Sequence, residues 1–282
     1  MTDETMPAPR DEVVQLGDWA AHVVRWPGDA AHPMLLLHGF TGHARTWQHL
    51  ASVLAPRHDG VALDQRGHGA SAPTDRYGSR PMVDDVSELL DRLGWARTSI
   101  VGHSMGGVNA FVFAAGHPAR VERLVIVDIA PEPSPVGLAR IRANVGRPDL
   151  FASFEHALAD ARLTFPEADD TLLRLRVTHN LVATGDGHWT WRTAAALRDG
   201  SAARHDHSVD ERWAAWGRVR APTLLVHGTA SDVLTPDLVT RMAAARPAIR
   251  TVEIEGATHA VPLDRPVALA DAVAAFLDEP ST

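Results

Sequence analysis

The chain has 282 residues, with 35 acidic and 27 basic side chains and a net charge of −8. Every basic residue is Arg and no Cys is present, which excludes thiol nucleophiles, thiolate metal sites, Schiff bases and Ser–Lys dyads. Since no basic block occurs, we expect no binding to nucleic acid. Residues Met1–Arg10 are acidic without an apolar stretch, which predicts no signal peptide and a cytoplasmic protein.

Short apolar runs alternate with helical patterns along most of the chain. Residues Val13–Gln15 and Ala20–Arg25 flank a Gly-Asp-type turn at Gly17 and predict an opening hairpin. The later runs are continuous, as expected of parallel strands covered on both faces: Met34–Leu37, Val61–Leu63, Ser99–Val101, Leu124–Val127, Thr223–Val226 and Thr251–Ile254. Amphipathic helices are predicted at Trp47–Leu54, Met82–Leu93, Val108–Ala115, Leu238–Ala245 and Pro266–Leu277. This alternation predicts an α/β fold with a mostly parallel, doubly wound sheet.

One stretch without formal charge, Ser99–Ala119, is long enough to be mistaken for a membrane span. It contains four Gly, two His and a Pro, a composition that favours a buried strand, a turn and a buried helix. We therefore expect no interaction with membranes.

The alternation stops between residues 131 and 220, where helical patterns such as Phe151–Leu163 and Thr171–Leu181 replace strand runs. We interpret this segment as a helical lid inserted into a core made of residues 1–130 and 221–282. The segment holds 12 Arg and 12 acidic residues. Because these charges balance, a solvated charge network is favoured over recognition of a carboxylate. The aromatic residues in and near it are expected mainly to pack the lid helices: Phe151, Phe154, Phe165, Trp189, Trp191, Trp213 and Trp216.

The strongest chemical signal is the pentapeptide Gly102-His103-Ser104-Met105-Gly106, which follows an apolar strand and begins a helix. In this context the serine lies at the tip of a sharp, strained turn, and glycines at both flanks avoid collisions with the neighbouring strand and helix. The first N–H of the helix, that of Met105, faces an oxyanion. The pattern predicts Ser104 as a nucleophile.

A second loop, His38-Gly39-Phe40-Thr41-Gly42, directly follows the strand at Met34–Leu37. It can place the N–H of Phe40 opposite that of Met105 and complete an oxyanion hole, although a Gly-rich turn that only links strand and helix fits as well. His38 is interpreted as a structural histidine that braces the loop. A third segment, Asp64–Ser71, is interpreted as scaffold in which Asp64 and Arg66 fix the loop.

The general base is expected after the last strand, and His259 is the histidine at that position. Two residues are candidates for the acid: Asp232, after the strand at Thr223–Val226, and Asp128, at the end of Leu124–Val127. Both stand at strand ends on the same edge of a parallel sheet, so the spacing alone permits either.

Taken together, these motifs resemble the α/β-hydrolases of the serine esterase type, with a helical cap after the sixth strand and an eight-stranded sheet. The resemblance covers the chain from Val13 to Leu277. The usual position of the acid in that family favours Asp232, whereas the segment Val127–Pro131 resembles a bacterial esterase subgroup that takes its acid from the earlier strand, at Asp128. We prefer Asp232 and keep Asp128 as the alternative.

The resemblance implies hydrolysis of a carboxylic ester with a small or medium acyl group, without cofactor or metal, on a small-molecule substrate. Ser104 stands where haloalkane dehalogenases and epoxide hydrolases of this fold carry Asp, which argues against attack by a carboxylate. The His38–Gly42 loop is similar to that of the menaquinone-pathway lyase, and C–C hydrolases share the same triad. A C–C hydrolase or lyase, or a non-catalytic ligand receptor on this fold, therefore remains an alternative.

Overall fold

The computed structural model describes residues 8–145, 150–202 and 204–279. Most of Met1–Arg10, on which the expectation about a signal peptide depends, lies outside these residues. The described chain begins with two antiparallel strands, β1 (Arg10–Leu16) and β2 (Trp19–Trp26), which pair along their whole length. Gly17 between them has a φ of +53°, which favours glycine. The predicted hairpin is confirmed.

Strands and helices then alternate in the predicted order: β3 (Pro33–Leu37), α1 (Gln48–Leu54), β4 (Asp59–Leu63), α2 (Ser79–Arg92), β5 (Thr98–His103), α3 (Met105–Gly116) and β6 (Val121–Val127). Short 3₁₀ helices precede α1 and β6, at Ala44–Trp47 and Pro118–Arg120. The uncharged stretch Ser99–Ala119 forms β5, a turn and α3. Across the described ranges, no helix combines the length and the apolar character that a bilayer span requires.

The segment between β6 and the next core strand is mainly helical: α4 (Pro135–Val145), β7 (Leu150–Phe151), α5 (Phe154–Thr164), α6 (Asp170–Asn180), β8 (Leu181–Ala183), β9 (Trp189–Trp191), α7 (Ala195–Arg198) and α8 (Val209–Arg218). The expectation that it lacks strands is wrong, because β7, β9 and β8 form a small antiparallel sheet. These strands have only two or three residues each, too few to produce a readable apolar pattern.

The chain finishes its core with β10 (Thr223–Gly228), α9 (Pro236–Ala245), β11 (Arg250–Ile254), α10 (Val261–Asp264) and α11 (Pro266–Leu277). Within the described residues, eight strands form one sheet in the order β1-β2-β4-β3-β5-β6-β10-β11. The six strands from β4 to β11 pair in parallel, whereas β2 pairs antiparallel with both β1 and β4. The predicted mostly parallel, eight-stranded sheet is confirmed.

The continuous apolar runs are explained by layers on both faces of the sheet. On β3, Leu35 and Leu37 join a core with residues of α2, α3 and α8, while Met34 and Leu36 join a second core with residues of α1 and α11. Successive side chains of a strand point to opposite faces. Since both faces are covered by helices, both sets of side chains must be apolar.

The segment 131–220 does not pack as one unit. Its α8 belongs to the main core, where the fully buried Trp216 contacts the ring of Phe111 at 5.7 Å between centroids and donates a hydrogen bond to the carbonyl of Met242 (3.1 Å). The earlier helices have an apolar cluster of their own, made of Phe151, Ala157, Leu158, Ala161, Leu173, Val177 and Leu181. We therefore reserve the name lid for α4 to α7 with β7–β9, and we treat α8 as a core helix.

Candidate active site

Ser104 lies in the turn between β5 and α3 with φ of +51° and ψ of −119°. This conformation is strained for a residue other than glycine, and such strain is typical of functional sites. The backbone N–H of Ser104 donates to the carbonyl of Val127 on the adjacent strand (3.1 Å). A Cβ atom at Gly102 would lie 2.5 Å from the carbonyl oxygen of Gly106, and one at Gly106 would lie 2.1 Å from that of Leu37. The two glycines of the pentapeptide are therefore required by close backbone contact.

His259 follows β11 and connects the serine to a carboxylate. Its Nε2 lies 2.9 Å from the Oγ of Ser104, and its Nδ1 lies 2.8 Å from the Oδ2 of Asp128. Because Nδ1–H donates to the carboxylate, Nε2 is left free to accept a proton from the serine. The structure thus brings the sequence-predicted Ser104 and His259 together, with Asp128 as the third member of the chain of hydrogen bonds.

Asp128 is fully buried at the end of β6, and its φ of +51° directs its side chain toward the neighbouring strand end. Besides His259, its carboxylate accepts hydrogen bonds from the N–H of Gly228 (2.9 Å) and the hydroxyl of Ser231 (2.5 Å). These hydrogen bonds hold the carboxylate in a fixed orientation, with Oδ2 directed at His259.

The preference for Asp232 as the acid is not what the geometry supports. Both oxygens of Asp232 are bound by Arg140 of α4, at 2.6 Å from Nε and 2.5 Å from Nη2. This hydrogen bond from Arg140 holds the pKa of Asp232 below its usual range. No hydrogen bond joins Asp232 and His259 among the described residues. Asp232 stands four residues beyond the end of β10, so its side chain is free to reach the lid instead of the histidine.

The loop after β3 is braced by His38, as the sequence predicts. The Nδ1–H of His38 donates to the carbonyl of Gly39 (2.8 Å), and its Nε2 accepts from the N–H of Gln65 (3.0 Å). A Cβ atom on Gly39 would lie 3.1 Å from the Cβ of Ser104. The start of the Phe40 segment therefore lies directly against the serine, and Met105 is the first residue of α3 beyond it.

The Asp64–Ser71 loop is held as scaffold, though through two separate sets of contacts. Asp64 accepts hydrogen bonds from the N–H groups of Ala44 (2.5 Å) and Ala70 (2.8 Å). Arg66 does not pair with Asp64; it makes a buried bidentate pair with Asp85 of α2, at 2.6 and 2.8 Å. The loop is thus anchored both to the start of the 3₁₀ helix that precedes α1 and to α2.

No role was predicted for His103, yet it helps to position His259. Its Nε2–H donates to the backbone carbonyl of His259 (2.8 Å), and the two rings lie 5.0 Å apart. Burial lowers the pKa of His103 to about 3, so the ring is neutral at physiological pH. The sequence carries a signal for it, because the residue before the serine ends β5 at the same sheet edge as His259.

These observations agree with the sequence comparison. A family model for the alpha/beta hydrolase fold matches residues 32–266. The chain belongs to the α/β-hydrolase fold family. Its strand order, its strained serine turn and the histidine after its last strand are the features expected of that family, so the resemblance inferred from the motifs is confirmed.

Related α/β-hydrolases act on different substrates. The 2-(acetamidomethylene)succinate hydrolase of Mesorhizobium japonicum is 27% identical over 248 residues, covering 87% of each chain. A crystal structure of E-2-(acetamidomethylene)succinate hydrolase has a TM-score of 0.87 at 25% identity and covers 96% of this chain and 100% of that chain. The esterase Rv0045c of Mycobacterium tuberculosis is 30% identical over 281 residues, covering 96% of this chain and 90% of that protein. Its crystal structure has a TM-score of 0.78 at 29% identity, covering 97% and 92%.

A cavity of about 150 Å³ lies between the core and the lid of this α/β-hydrolase. The core side contributes Phe40, Ser104 and His259, and the lid side contributes residues of α4, α5 and α6. Of the lid aromatics, Trp191 and Phe165 line the cavity, while the others pack within the lid or, for Trp213 and Trp216, against the main core. The aromatic residues thus mostly have the packing role that was expected.

Proposed function

We propose that this α/β-hydrolase is a serine hydrolase that cleaves carboxylic esters with a small or medium acyl group. The observation that carries the proposal is the continuous hydrogen-bond chain from Ser104 through His259 to Asp128, with heavy-atom distances of 2.9 and 2.8 Å. Distances in this range are those that proton transfer from a nucleophile to a general base requires.

In the proposed reaction, neutral His259 accepts the proton of Ser104 as its Oγ attacks the ester carbonyl. The buried carboxylate of Asp128 keeps the proton of the imidazole on Nδ1 and stabilises the imidazolium that forms. The imidazolium then gives its Nε2 proton to the departing alkoxide, and an acyl-enzyme is left on Ser104. Water, activated by the same histidine, releases the acid and restores the hydroxyl.

The N–H groups of Phe40 and Met105 are proposed to stabilise the negative charge on the carbonyl oxygen. Met105 begins α3, and the first N–H groups of a helix have no partner within the helix. Phe40 lines the cavity next to Gly39, which lies against Ser104. One such donor contributes about 3 kcal/mol to transition-state stabilisation in serine hydrolases.

The names of the two relatives support hydrolysis of an acyl group, since one is an esterase and the other a 2-(acetamidomethylene)succinate hydrolase. C–C cleavage, lyase chemistry and a receptor role use the same scaffold and are alternative outcomes of the test. A cytoplasmic location stays a prediction.

The proposal is tested with a fluorophosphonate probe and a panel of 4-nitrophenyl esters of increasing chain length. We expect the wild-type protein to be labelled and to hydrolyse short esters, and Ser104→Ala to do neither. Absence of labelling in the wild type would refute the enzyme proposal. Labelling without turnover of any ester would instead favour the C–C hydrolase or lyase alternative.

A further inference from the structure

The lid side of the cavity carries a positive charge, that of Arg176, which no carboxylate among the described residues pairs with. Arg176 of α6 lines the cavity and is half-buried. Its Nη2 donates to the carbonyl and the hydroxyl of Thr41, at 3.0 and 3.1 Å. Its guanidinium lies over the ring of Phe165, 5.0 Å from the centroid. Among the described residues, no carboxylate lies within salt-bridge distance of Arg176, and its Nε and Nη1 atoms make no hydrogen bond.

Three other lid arginines, Arg140, Arg162 and Arg174, differ in this respect. Arg140, which also lines the cavity, is bound to Asp232 through two hydrogen bonds. On the solvent side, Arg162 pairs with Asp170, and Arg174 pairs with Glu155. The 12 Arg and 12 acidic residues between positions 131 and 220 therefore include local pairs, whereas Arg176 has no carboxylate partner among the described residues.

Leaving this group without a counter-charge has a cost. Burial lowers the pKa of Arg176 to about 10, which still leaves the guanidinium charged at neutral pH. The same positive charge contributes to the lowered pKa of His103, the residue before the nucleophile, although burial is the larger cause. A charge that is partly removed from water and has no carboxylate partner among the described residues destabilises the unliganded state. A ligand anion would offset this cost.

The chemistry of the site selects a carboxylate. A guanidinium has five N–H donors in a planar fork that matches the two oxygens of a carboxylate, and two of its nitrogens are unused here. Arg176 is bonded to Thr41, the residue directly after the proposed oxyanion donor Phe40. The guanidinium of Arg176 thus lies close enough to the proposed binding position of the ester carbonyl for one small substrate to contact both. The small volume of the cavity, about 150 Å³, also limits the size of the substrate.

We propose that Arg176 determines specificity by binding a free carboxylate of the substrate, so that this hydrolase prefers small esters which carry a negative charge on the acyl or the leaving group. This inference rests on the proposed function, since it places the carboxylate relative to a carbonyl attacked by Ser104. Arg176 acts by binding the substrate and takes no part in the proton transfers.

Matched pairs of esters test the proposal. Mono(4-nitrophenyl) adipate and 4-nitrophenyl heptanoate differ by a charge on the acyl side, and 3-acetoxybenzoate and its methyl ester differ by a charge on the leaving group. We expect the wild-type enzyme to have the higher kcat/KM on the charged member of at least one pair. In Arg176→Met, this value is expected to fall by about 30-fold or more on the charged ester, mainly through KM, and by less than about 3-fold on the neutral one. The pair whose charged ester is affected shows whether the carboxylate is on the acyl group or on the leaving group.

Control variants separate recognition from a purely structural role. Arg174→Met removes a neighbouring exposed arginine of α6 that pairs with Glu155. It is expected to leave kcat/KM unchanged on both esters of each pair. Asn180→Ala removes another hydrogen bond from α6 to the carbonyl of Thr41 (2.9 Å) without removing charge. It is expected to change kcat/KM by the same factor on the charged and the neutral ester. Arg176→Lys keeps the charge but loses the planar, two-pronged donor geometry of the guanidinium. Its kcat/KM on the charged ester should lie between those of the wild type and Arg176→Met. Equal losses on charged and neutral esters in Arg176→Met would overturn the proposal.

A binding measurement distinguishes failure of this inference from failure of the proposed function. Titration of adipate into the Ser104→Ala protein, followed by calorimetry, requires no turnover. We expect binding that weakens by about 10-fold or more when Arg176→Met is added. If no ester is hydrolysed but this difference is measured, the carboxylate site stands and the ester hydrolase proposal fails. If esters are hydrolysed and adipate binding is independent of Arg176, the carboxylate site is refuted.

Discussion

The two sides of the cavity are built in different ways. On the core side, Ser104, Asp128 and His259 each follow the end of a parallel strand, at β5, β6 and β11. On the lid side, Arg140 and Arg176 project from helices whose position depends on how the lid packs onto the core. The core side is fixed by backbone hydrogen bonding between neighbouring strands, whereas the lid side depends on side-chain contacts. Residues on strand ends can therefore be located from sequence, and residues on lid helices cannot.

The two aspartates illustrate the difference. Asp128 is buried and bonded to groups of the core, including His259 and Gly228. Asp232 is about a third exposed and is bound by a lid residue, Arg140. Both residues follow strands that end at the same edge of the sheet. Asp128 contributes to the core side of the site, whereas Asp232 joins the core to the lid.

The largest effect we expect is the difference between these carboxylates in catalysis. Asp128→Asn should lower kcat for ester hydrolysis by roughly 10³–10⁴-fold, because an amide no longer favours the tautomer with the proton on Nδ1. Asp232→Asn is the matched control and should lower kcat by less than about 10-fold. Steady-state kinetics on a neutral 4-nitrophenyl ester measures both. A greater loss for Asp232→Asn would return the role of the acid to that residue.

A smaller effect concerns the acid sensitivity of the core. Burial lowers the pKa of four histidines around the site, His38, His43, His68 and His103. Below about pH 6.5 these histidines bind protons in the unfolded chain but stay neutral in the folded protein. The free energy of unfolding should therefore fall as the pH decreases. Each histidine contributes a slope of up to about 1.4 kcal/mol per pH unit, until the pH reaches its folded pKa.

Urea unfolding between about pH 7.5 and pH 5 measures this slope. His68→Gln should make it less steep, because one proton-binding difference between the unfolded and folded states is removed. His156→Gln, which removes an exposed lid histidine, should leave the slope as it is in the wild type. A wild-type free energy of unfolding that does not change over this range would contradict the assignment of these core histidines as neutral in the folded state.

The smallest effect we expect is the stabilisation that Arg140 and Asp232 provide between lid and core. Their hydrogen bonds are short, but both side chains are about one-third exposed, so solvent screening limits the coupling to about 1 kcal/mol or less. A double-mutant cycle with Arg140→Gln and Asp232→Asn in urea unfolding measures it. The coupling should decrease in high salt. It should also be lost as the pH falls through the lowered pKa of Asp232, since a protonated carboxyl no longer pairs with the guanidinium.

The strands and most core helices could be predicted because burial on both faces of a parallel sheet requires continuous apolar runs. The strained serine turn could be predicted because it requires two glycines at fixed spacing: a Cβ atom at either position would lie only 2.5 or 2.1 Å from a backbone carbonyl oxygen. The lid was predicted less well. The strands β7–β9 are too short to have a period, and α8 has an amphipathic pattern that does not tell which layer it packs against.

The α/β layer order, the strained turn at Ser104 and the position of His259 could all be predicted from the amino-acid sequence, because each depends on local backbone geometry or on hydrophobic periodicity. Which of Asp128 and Asp232 bonds His259 could be seen only in the folded protein, because two strand ends on one sheet edge are equivalent until side-chain partners are known. Three-dimensional contacts were also needed to find that Arg176 has no carboxylate partner among the described residues. Pairing between charges depends on distances of a few ångströms, and the composition of a segment contains no information at that scale.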